Sequence, residues 1–392
     1  MGSQKNNRMS SCLFLQKLIA AFSCTKRGIN KSSKTAETMI LPCYKKMTTP
    51  PTLCNLPNEL AIIIFNNVGL RSILTLRKVC RDLRNRIDDI KPEAHLFYVS
   101  IRVEDCKISF EYHWEIIVEK LGRRYEDDVE YSKDVESGQS TVRCKDVEKK
   151  IVNDDFLELA LRDFLLILKF QRKSIQISFK NTTEYSNNFI EFLEMLESFL
   201  AIENQFLKVD KFFIDTKDPK SVIKALSLTD PQSIDNIALI KSQVGKSASR
   251  KPMEFAEIVE MEHWKTATFF TSRYRITGVS VQNFRHFSRI DVKFKSISVE
   301  KLLEFKKIFQ NSTEANSFMI RYGTFEDREQ LLEKMGPAVM RYEDFEWYFR
   351  MSTTDDDIFL IQLDDRIHLI YFQRVPVANV RKLGIAHSSF DF

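Results

Sequence analysis

Apolar positions fall at helical spacing in two short runs between residues 53 and 90. Beyond residue 95 the pattern switches repeatedly between the two-residue period of a strand and the 3.6-residue period of a helix. In the first run Leu60, Ile63 and Ile64 stand at i, i+3 and i+4, with Pro57 suited to a first helical turn and Asn55 able to cap it. Gly69 ends that helix. Ile73, Leu76, Val79, Cys80 and Leu83 then predict one second amphipathic helix running through Arg86. Its other face is basic, and Arg71, Arg77, Lys78, Arg81, Arg84 and Arg86 are expected in solvent or against an acidic partner. Roughly forty residues rarely bury enough surface to fold alone, so this module implies a partner.

Residues 95–103 and 106–112 read as a hairpin, and the charged stretch 122–150 as a loop or exposed strand. Between 155 and 169, Leu157, Ala160, Leu161, Phe164, Leu165 and Leu168 form one stripe, and Phe156, Leu159, Leu166 and Ile167 form a second. That helix must be largely buried. Strand-like segments around 175–179, 207–214, 234–240, 268–281, 290–294 and 318–322 then alternate with helical ones at 189–200, 222–228, 255–264 and 299–309. A further helix after 322 could be capped by Thr324 or Asp327. Such alternation predicts parallel strands with crossovers. The uneven strand spacing suggests a degenerate leucine-rich-repeat-like βα solenoid, closed by a strand pair at 357–362 and 366–372. The fold class is therefore α/β, a small helical module followed by that solenoid. Its parts are a basic, disordered leader (1–49), the helical module (50–92), a β hairpin and charged connector (93–150), the βα receptor domain (151–350), and a strand pair with a tail (351–392).

Charge changes this picture at one end. The net +5 is misleading, because residues 1–49 hold nine Lys or Arg against Glu37 alone, a local +8 that leaves −3 for the rest. The folded part thus lacks the global positive footprint of a nucleic-acid binder. The leader's apolar run at 12–22 resembles a presequence or a poor signal peptide, but Lys17 interrupts it, and Asn6 stands where N-myristoylation wants Ser or Thr. Seven cysteines, all within the first 144 residues and without a CxxC pair, read as reduced thiols of a cytoplasmic or nuclear protein. No apolar run approaches the ~18 residues of a membrane span.

The arrangement Leu56-Pro57-x-Glu59-Leu60, then Ile64, Ile73, Leu76, Val79-Cys80-Arg81 and Leu83-Arg84 resembles an F-box, the helical motif that binds the Skp-type adaptor of cullin ubiquitin ligases. The resemblance implies that Leu56, Pro57, Leu60, Ile64, Leu76, Val79 and Leu83 meet that adaptor. Leu83 stands where many F-boxes have Trp, which implies weaker docking. The Phe-rich region from 157 to 322, including Leu157-Glu158-Leu159-Ala160 and Val299-Glu300-Lys301-Leu302-Leu303, resembles the FTH domain of nematode F-box proteins of the F-box A type. That implies a protein-interaction domain without catalytic motif.

No enzyme chemistry competes with this reading. Gly245-Lys246-Ser247 imitates a P-loop end, but Ile240 replaces its first Gly. The six histidines are dispersed, no RING ligand set exists, and Asp355-Asp356-Asp357 reads as a solvated acidic turn. No cofactor and no metal are expected. In a βα solenoid Gln176, Ser178, Asp291, Lys293, Lys295 and Arg321 point outward. Lys293, Lys295 and Arg321 are the target-binding candidates, suited to acidic or phosphorylated ligands, unless this is simply a wet polar face. The sequence thus predicts a non-catalytic substrate receptor that reaches a cullin through a Skp-type adaptor, with nucleic acid and membrane not expected as partners. Its rivals are a non-ligase scaffold or RNA-associated regulator and, on the leader alone, a mitochondrial or membrane-tethered enzyme.

Overall fold

The structure, a computed structural model, describes residues 52–118, 121–145, 147–151, 154–183, 187–241 and 252–382. The basic leader, the Gly245-Lys246-Ser247 motif and the tail beyond 386 lie outside the described residues. The chain forms two compact units. Among the described residues, the smaller holds 52–95, 114–118, 121–125 and 167–172, and the larger holds the described parts of 96–113, 126–166 and 173–382.

In the smaller unit the apolar pattern produces three helices rather than two: α1 (Asn58–Asn66), α2 (Leu70–Leu76) and α3 (Arg81–Ile90). The expected second helix breaks because Cys80 is extended (φ −155°, ψ 166°) and its thiol accepts the Leu83 N–H at 3.5 Å, capping α3 afresh. Asn55 does not cap α1. Its side chain accepts from the Thr52 N–H at 2.6 Å, and the helix enters through Pro57 without a side-chain cap. Leu56, Ala61, Phe65, Val68, Leu70, Ile73, Leu83 and Ile87 make the small core. At the C-terminus of α3, Lys91 turns left-handed (φ 49°), and the Arg172 guanidinium donates to the Lys91 carbonyl at 2.7 Å, placing a cation at the negative helix end.

Most of the larger unit is built on one mixed sheet, of whose strands residues 114–118 and 121–125 belong to the smaller unit. The sheet opens with β1 (Leu96–Glu104), β2 (Lys107–Val118), β3 (Leu121–Lys133), β4 (Ser140–Cys144) and β5 (Val147–Ile151). The segment read as loop or exposed strand is thus strand. Its alternation is hidden because its cross-strand pairs are charged: Glu130 opposes Arg143, and Arg143 opposes Glu148 with a 2.8 Å ion pair. Tyr131 anchors it, buried and donating its hydroxyl to Asp163 at 2.8 Å on α4 (Phe156–Leu168).

The parallel strands follow as β6 (Ile175–Asn181), α5 (Asn188–Ile202), β7 (Val209–Asp215), α6 (Pro219–Ser227), β8 (Asn236–Leu239), a short β9 (Met253–Glu254), α7 (Glu262–Thr266), β10 (Phe269–Thr277), β11 (Arg289–Lys293), β12 (Ser296–Ile297), α8 (Val299–Asn311) and β13 (Ser317–Arg321). Asp218 caps α6 and Ser298 caps α8 through side-chain bonds to backbone N–H groups. After β14 (Thr324–Phe325) and α9 (Leu331–Met335), the chain closes with β15 (Val339–Arg341), β16 (Asp344–Arg350), β17 (Asp357–Asp364), β18 (Leu369–Pro376) and α10 (Val377–Lys382).

The strand order is β15-β16-β17-β18-β13-β11-β10-β8-β7-β6-β1-β2-β3-β4-β5. From β1 to β13 each neighbouring pair is parallel, as the alternation predicted. The expected solenoid is not found. β18 joins β13 antiparallel, and β3, β4 and β5 are antiparallel at the other end, so the parallel strands are the middle of a mixed sheet. The crossovers are also unlike one another: β6 to β7 uses the α5 helix, whereas β10 to β11 uses only a 3-10 turn at Val281–Phe284. Repeats of one kind are what a stacked solenoid requires. Helices cover one face of the parallel strands, with Phe189 meeting Phe179, Trp264 meeting Phe270 and Phe309 meeting Phe318. Among the described residues no helix is long and apolar enough to cross a membrane.

Candidate functional site

Two surfaces stand out, one on each unit. On the smaller unit, α1 turns Ala61 and Phe65 inward and leaves Leu60 39% and Ile63 58% exposed, with Ile62 exposed beside them. Val79, beyond α2, is 65% exposed, Pro57 is exposed, and Ile64 and Leu76 are half-buried. Aliphatic side chains open to water on so small a module make a candidate docking face. Leu56 and Leu83 differ from expectation: at 7% and 4% exposure they belong to the module's own core, since the pitch of α3 turns Leu83 inward with Ile87. Sequence reading did not single out Ile63 as a contact, although its i+3 spacing from Leu60 was visible.

Beneath that face the basic residues are partly committed. Arg77 makes a two-pronged bond to Asp88, Nε to Oδ1 at 2.7 Å and Nη2 to Oδ2 at 2.8 Å. Arg86 reaches the turn before α1, donating to the Cys54 carbonyl at 2.6 Å, the Leu56 carbonyl, and Asn58 Oδ1 at 3.3 Å. Neither Arg77 nor Arg86 is therefore a free cation awaiting an acidic partner. Cys54 and Cys80 bring their sulfurs to 3.9 Å as free thiols, and burial together with the Cys80 neighbour pushes the Cys54 thiol upward.

On the larger unit, the face of the parallel strands opposite α5, α7 and α8, which no described helix is seen to cover, is read from the registers, because paired residues share a side. One row runs Tyr98, Gln176, Lys211, Asn236, Phe269, Arg289 and Ser317. The next runs Ser100, Ser178, Phe213, Ala238, Thr271, Asp291 and Met319. At the row ends, Arg102 opposes Lys180, Lys180 opposes Asp215, and Lys293 opposes Arg321. Arg321 is ion-paired to Asp291, and Arg273 approaches the same carboxylate at 3.4 Å. Burial and the Arg273 charge lower the Arg321 pKa. The Arg289 guanidinium lies 5.5 Å from the centre of the Phe269 ring.

Of the predicted target residues, Lys293 and Arg321 are thus neighbours on this face. Lys295 lies past the end of β11 in the bend before β12, where its carbonyl accepts the Gly323 N–H at 3.1 Å, so it leaves the strand row. Ser178 is buried. Sequence reading missed Lys180, Lys211 and Arg289, which the period-two alternation carries but only the register assembles.

Acidic groups border the cations at both ends. Glu111, His113 and Glu126 on β2 and β3 bring one ligand atom each within 4.8 Å of one another, and His113 Nε2 lies 2.6 Å from Glu111 Oε1. A divalent cation is the ligand such a trio could hold. The Tyr98 ring meets His113 edge-on at 5.1 Å. At the other end Glu346 and Asp364 share their rows with Gln362 and Leu369. Tyr274 donates to the buried Asp215 at 2.8 Å, and burial together with that bond raises the phenol well above its ordinary range.

Comparison with known proteins places families on both units. A family model of the F-box domain matches residues 53–94, and one of the FTH domain matches residues 167–333. F-box A protein 224 of Caenorhabditis elegans is 22% identical over 274 residues, covering 69% of this chain and 66% of that relative. The match therefore spans just under two thirds of the relative's length. No solved structure matches the chain.

Proposed function

We propose that this chain, which carries an F-box domain and an FTH domain, is the substrate-recognition subunit of a Skp-cullin-F-box ubiquitin ligase. F-box domains dock a Skp-type adaptor and through it a cullin, so ubiquitin transfer takes place on other subunits and this chain is a non-catalytic receptor. The FTH domain holds a protein target on the face of its parallel strands opposite α5, α7 and α8. Free thiols at Cys54 and Cys80 fit a cytoplasmic or nuclear location.

The observation that carries this reading is the aliphatic face made by Leu60, Ile63 and Val79. Burial of such side chains at the centre of an interface is worth about 2 kcal/mol each, roughly thirtyfold in affinity. Leu60→Glu combined with Ile63→Glu is expected to abolish co-purification of the full chain with a tagged Skp-type adaptor. Because both side chains are exposed, the melting temperature should be unchanged. Adaptor retained by that double variant would reject the assignment. Leu56→Ala is the poorer test, since Leu56 is buried and its loss would unsettle the module itself.

A further inference from the structure

The outward side of the parallel strands concentrates positive charge within a folded chain whose net charge is negative. Beyond the leader the sequence is net negative, yet Lys180, Lys211, Arg289, Lys293 and Arg321 face the same way and Asp215 and Asp291 are the acids interspersed among them. Half-buried apolar and aromatic residues, Tyr98, Phe213 and Phe269, stand between the charges. The face thus alternates cation and apolar contact, which is what a peptide of acidic and apolar residues complements.

The state of each cation narrows the ligand. A phosphate-specific site converges Arg forks on one point. Here Arg321 and Arg273 are already drawn to Asp291, and Arg289 stacks on Phe269. The remaining cations, Lys180 with Arg102 beside it, Lys211, and Lys293 with Arg275 beside it, have no ion-pair partner among the described residues and are spread over five strands. Dispersed ammonium groups suit several carboxylates along a segment better than one doubly charged group. A nucleic acid would need a track that runs on, whereas Glu111 and Glu126 close this one at the β2–β3 end; Glu346 and Asp364 at the other end are already drawn to Arg341 and Arg366. Seven strands from β1 to β13 at about 4.8 Å spacing span roughly 29 Å, the length of about eight or nine extended residues.

We propose that the ligand of this face is an acidic extended segment of a target protein, rich in Asp and Glu with interleaved apolar residues, lying across the parallel strands from β1 to β13. The proposal rests on the receptor reading and adds the chemical class of the target to it.

The test uses the full chain bound to its adaptor and a fluorescent peptide of about twelve residues repeating Asp-Leu-Glu-Gly. Lys180→Glu, Lys211→Glu and Lys293→Glu together should weaken binding by about tenfold or more, as should replacing the peptide's acids by their amides. Lys180→Gln, Lys211→Gln and Lys293→Gln together, a milder change, should weaken it in the same direction. Lys149→Glu with Lys150→Glu, on the exposed edge strand β5, should leave it unchanged. Equal binding by wild type and both triple variants would overturn the proposal. So would preference for a uridine oligonucleotide of the same length, or binding of a phosphoserine peptide in place of the acidic one. A photoreactive residue at Phe213 separates the two levels. Acidic segments of captured proteins crosslinked there support the inference, and non-acidic segments overturn it while the receptor reading stands. If the adaptor remains bound and no protein crosslinks at that face, both fail.

Discussion

Replacing Trp264 by alanine is expected to destabilise the larger unit by about 3–5 kcal/mol, the range for deleting a fully buried large aromatic side chain. Trp264 lies on the five-residue helix α7, which is too short to hold its place by backbone bonds alone. Its indole packs among Phe270 at 4.6 Å, Phe287 at 5.0 Å, Phe284 at 5.7 Å and Phe255 at 6.1 Å between ring centres. The indole N–H donates to the Asn283 carbonyl at 2.9 Å, and the Trp264 carbonyl partners His286 Nε2 at 2.7 Å. Alanine therefore leaves a cavity and strands the Asn283 carbonyl, two costs that add. Thermal unfolding should shift down by roughly 10 °C. Trp264→Phe should recover most of the packing and lose chiefly the hydrogen bond. Equal melting temperatures for wild type and Trp264→Ala would show that the aromatic cluster does not anchor β10, and with it Phe269 and Thr271 on the opposite face.

The contrast between what the sequence disclosed and what it withheld follows the range of the interactions. Local signals were legible: Pro57 leads into the first helix, and Ile175, Ile177 and Phe179 alternate as a strand must, although Gly69, expected to end the first helix, instead stands at the start of the second, the first having ended at Asn66. Three kinds of feature were not. A cap can come from an atypical atom, as when the Cys80 thiol restarts a helix that the apolar spacing continues without pause. A hairpin can lack its usual turn residues: β15 and β16 are joined by Tyr342 and Glu343 with φ of 51° and 72°, where Asn and Gly are the common occupants. Most consequentially, register is a property of pairs distant in sequence. Lys180, Lys211 and Arg289 each look like ordinary solvent positions of separate strands, and they become one surface only when the parallel ladder aligns them. Leu83 shows the same limit on a helix, because the periodicity that marks it as apolar does not say whether it faces inward or a partner.

Arg86→Ala is expected to weaken adaptor binding by about tenfold or more while leaving the melting of the larger unit unchanged. Hydrogen bonds from a charged donor contribute about 1.5–3 kcal/mol each, and those made by one side chain are not additive. Arg86 spends its guanidinium on the Cys54 and Leu56 carbonyls and on Asn58 Oδ1, three points along the turn that delivers Leu56 to the core and Pro57 to the surface. Without it that turn has the Asn55 to Thr52 bonds of its own, which fix its start but not its distance from α3. The docking face would then have to be ordered at the moment of binding, at a cost in affinity. Arg86→Lys separates charge from geometry: an ammonium keeps the charge but is a single point that does not span the Cys54 and Leu56 carbonyls as a planar fork does, so most of the loss should persist. Amide hydrogen exchange across residues 53–58 should quicken in both variants. Unchanged exchange with unchanged adaptor affinity would mean that the turn is held by the Leu56 side chain alone, and that the guanidinium is incidental to docking.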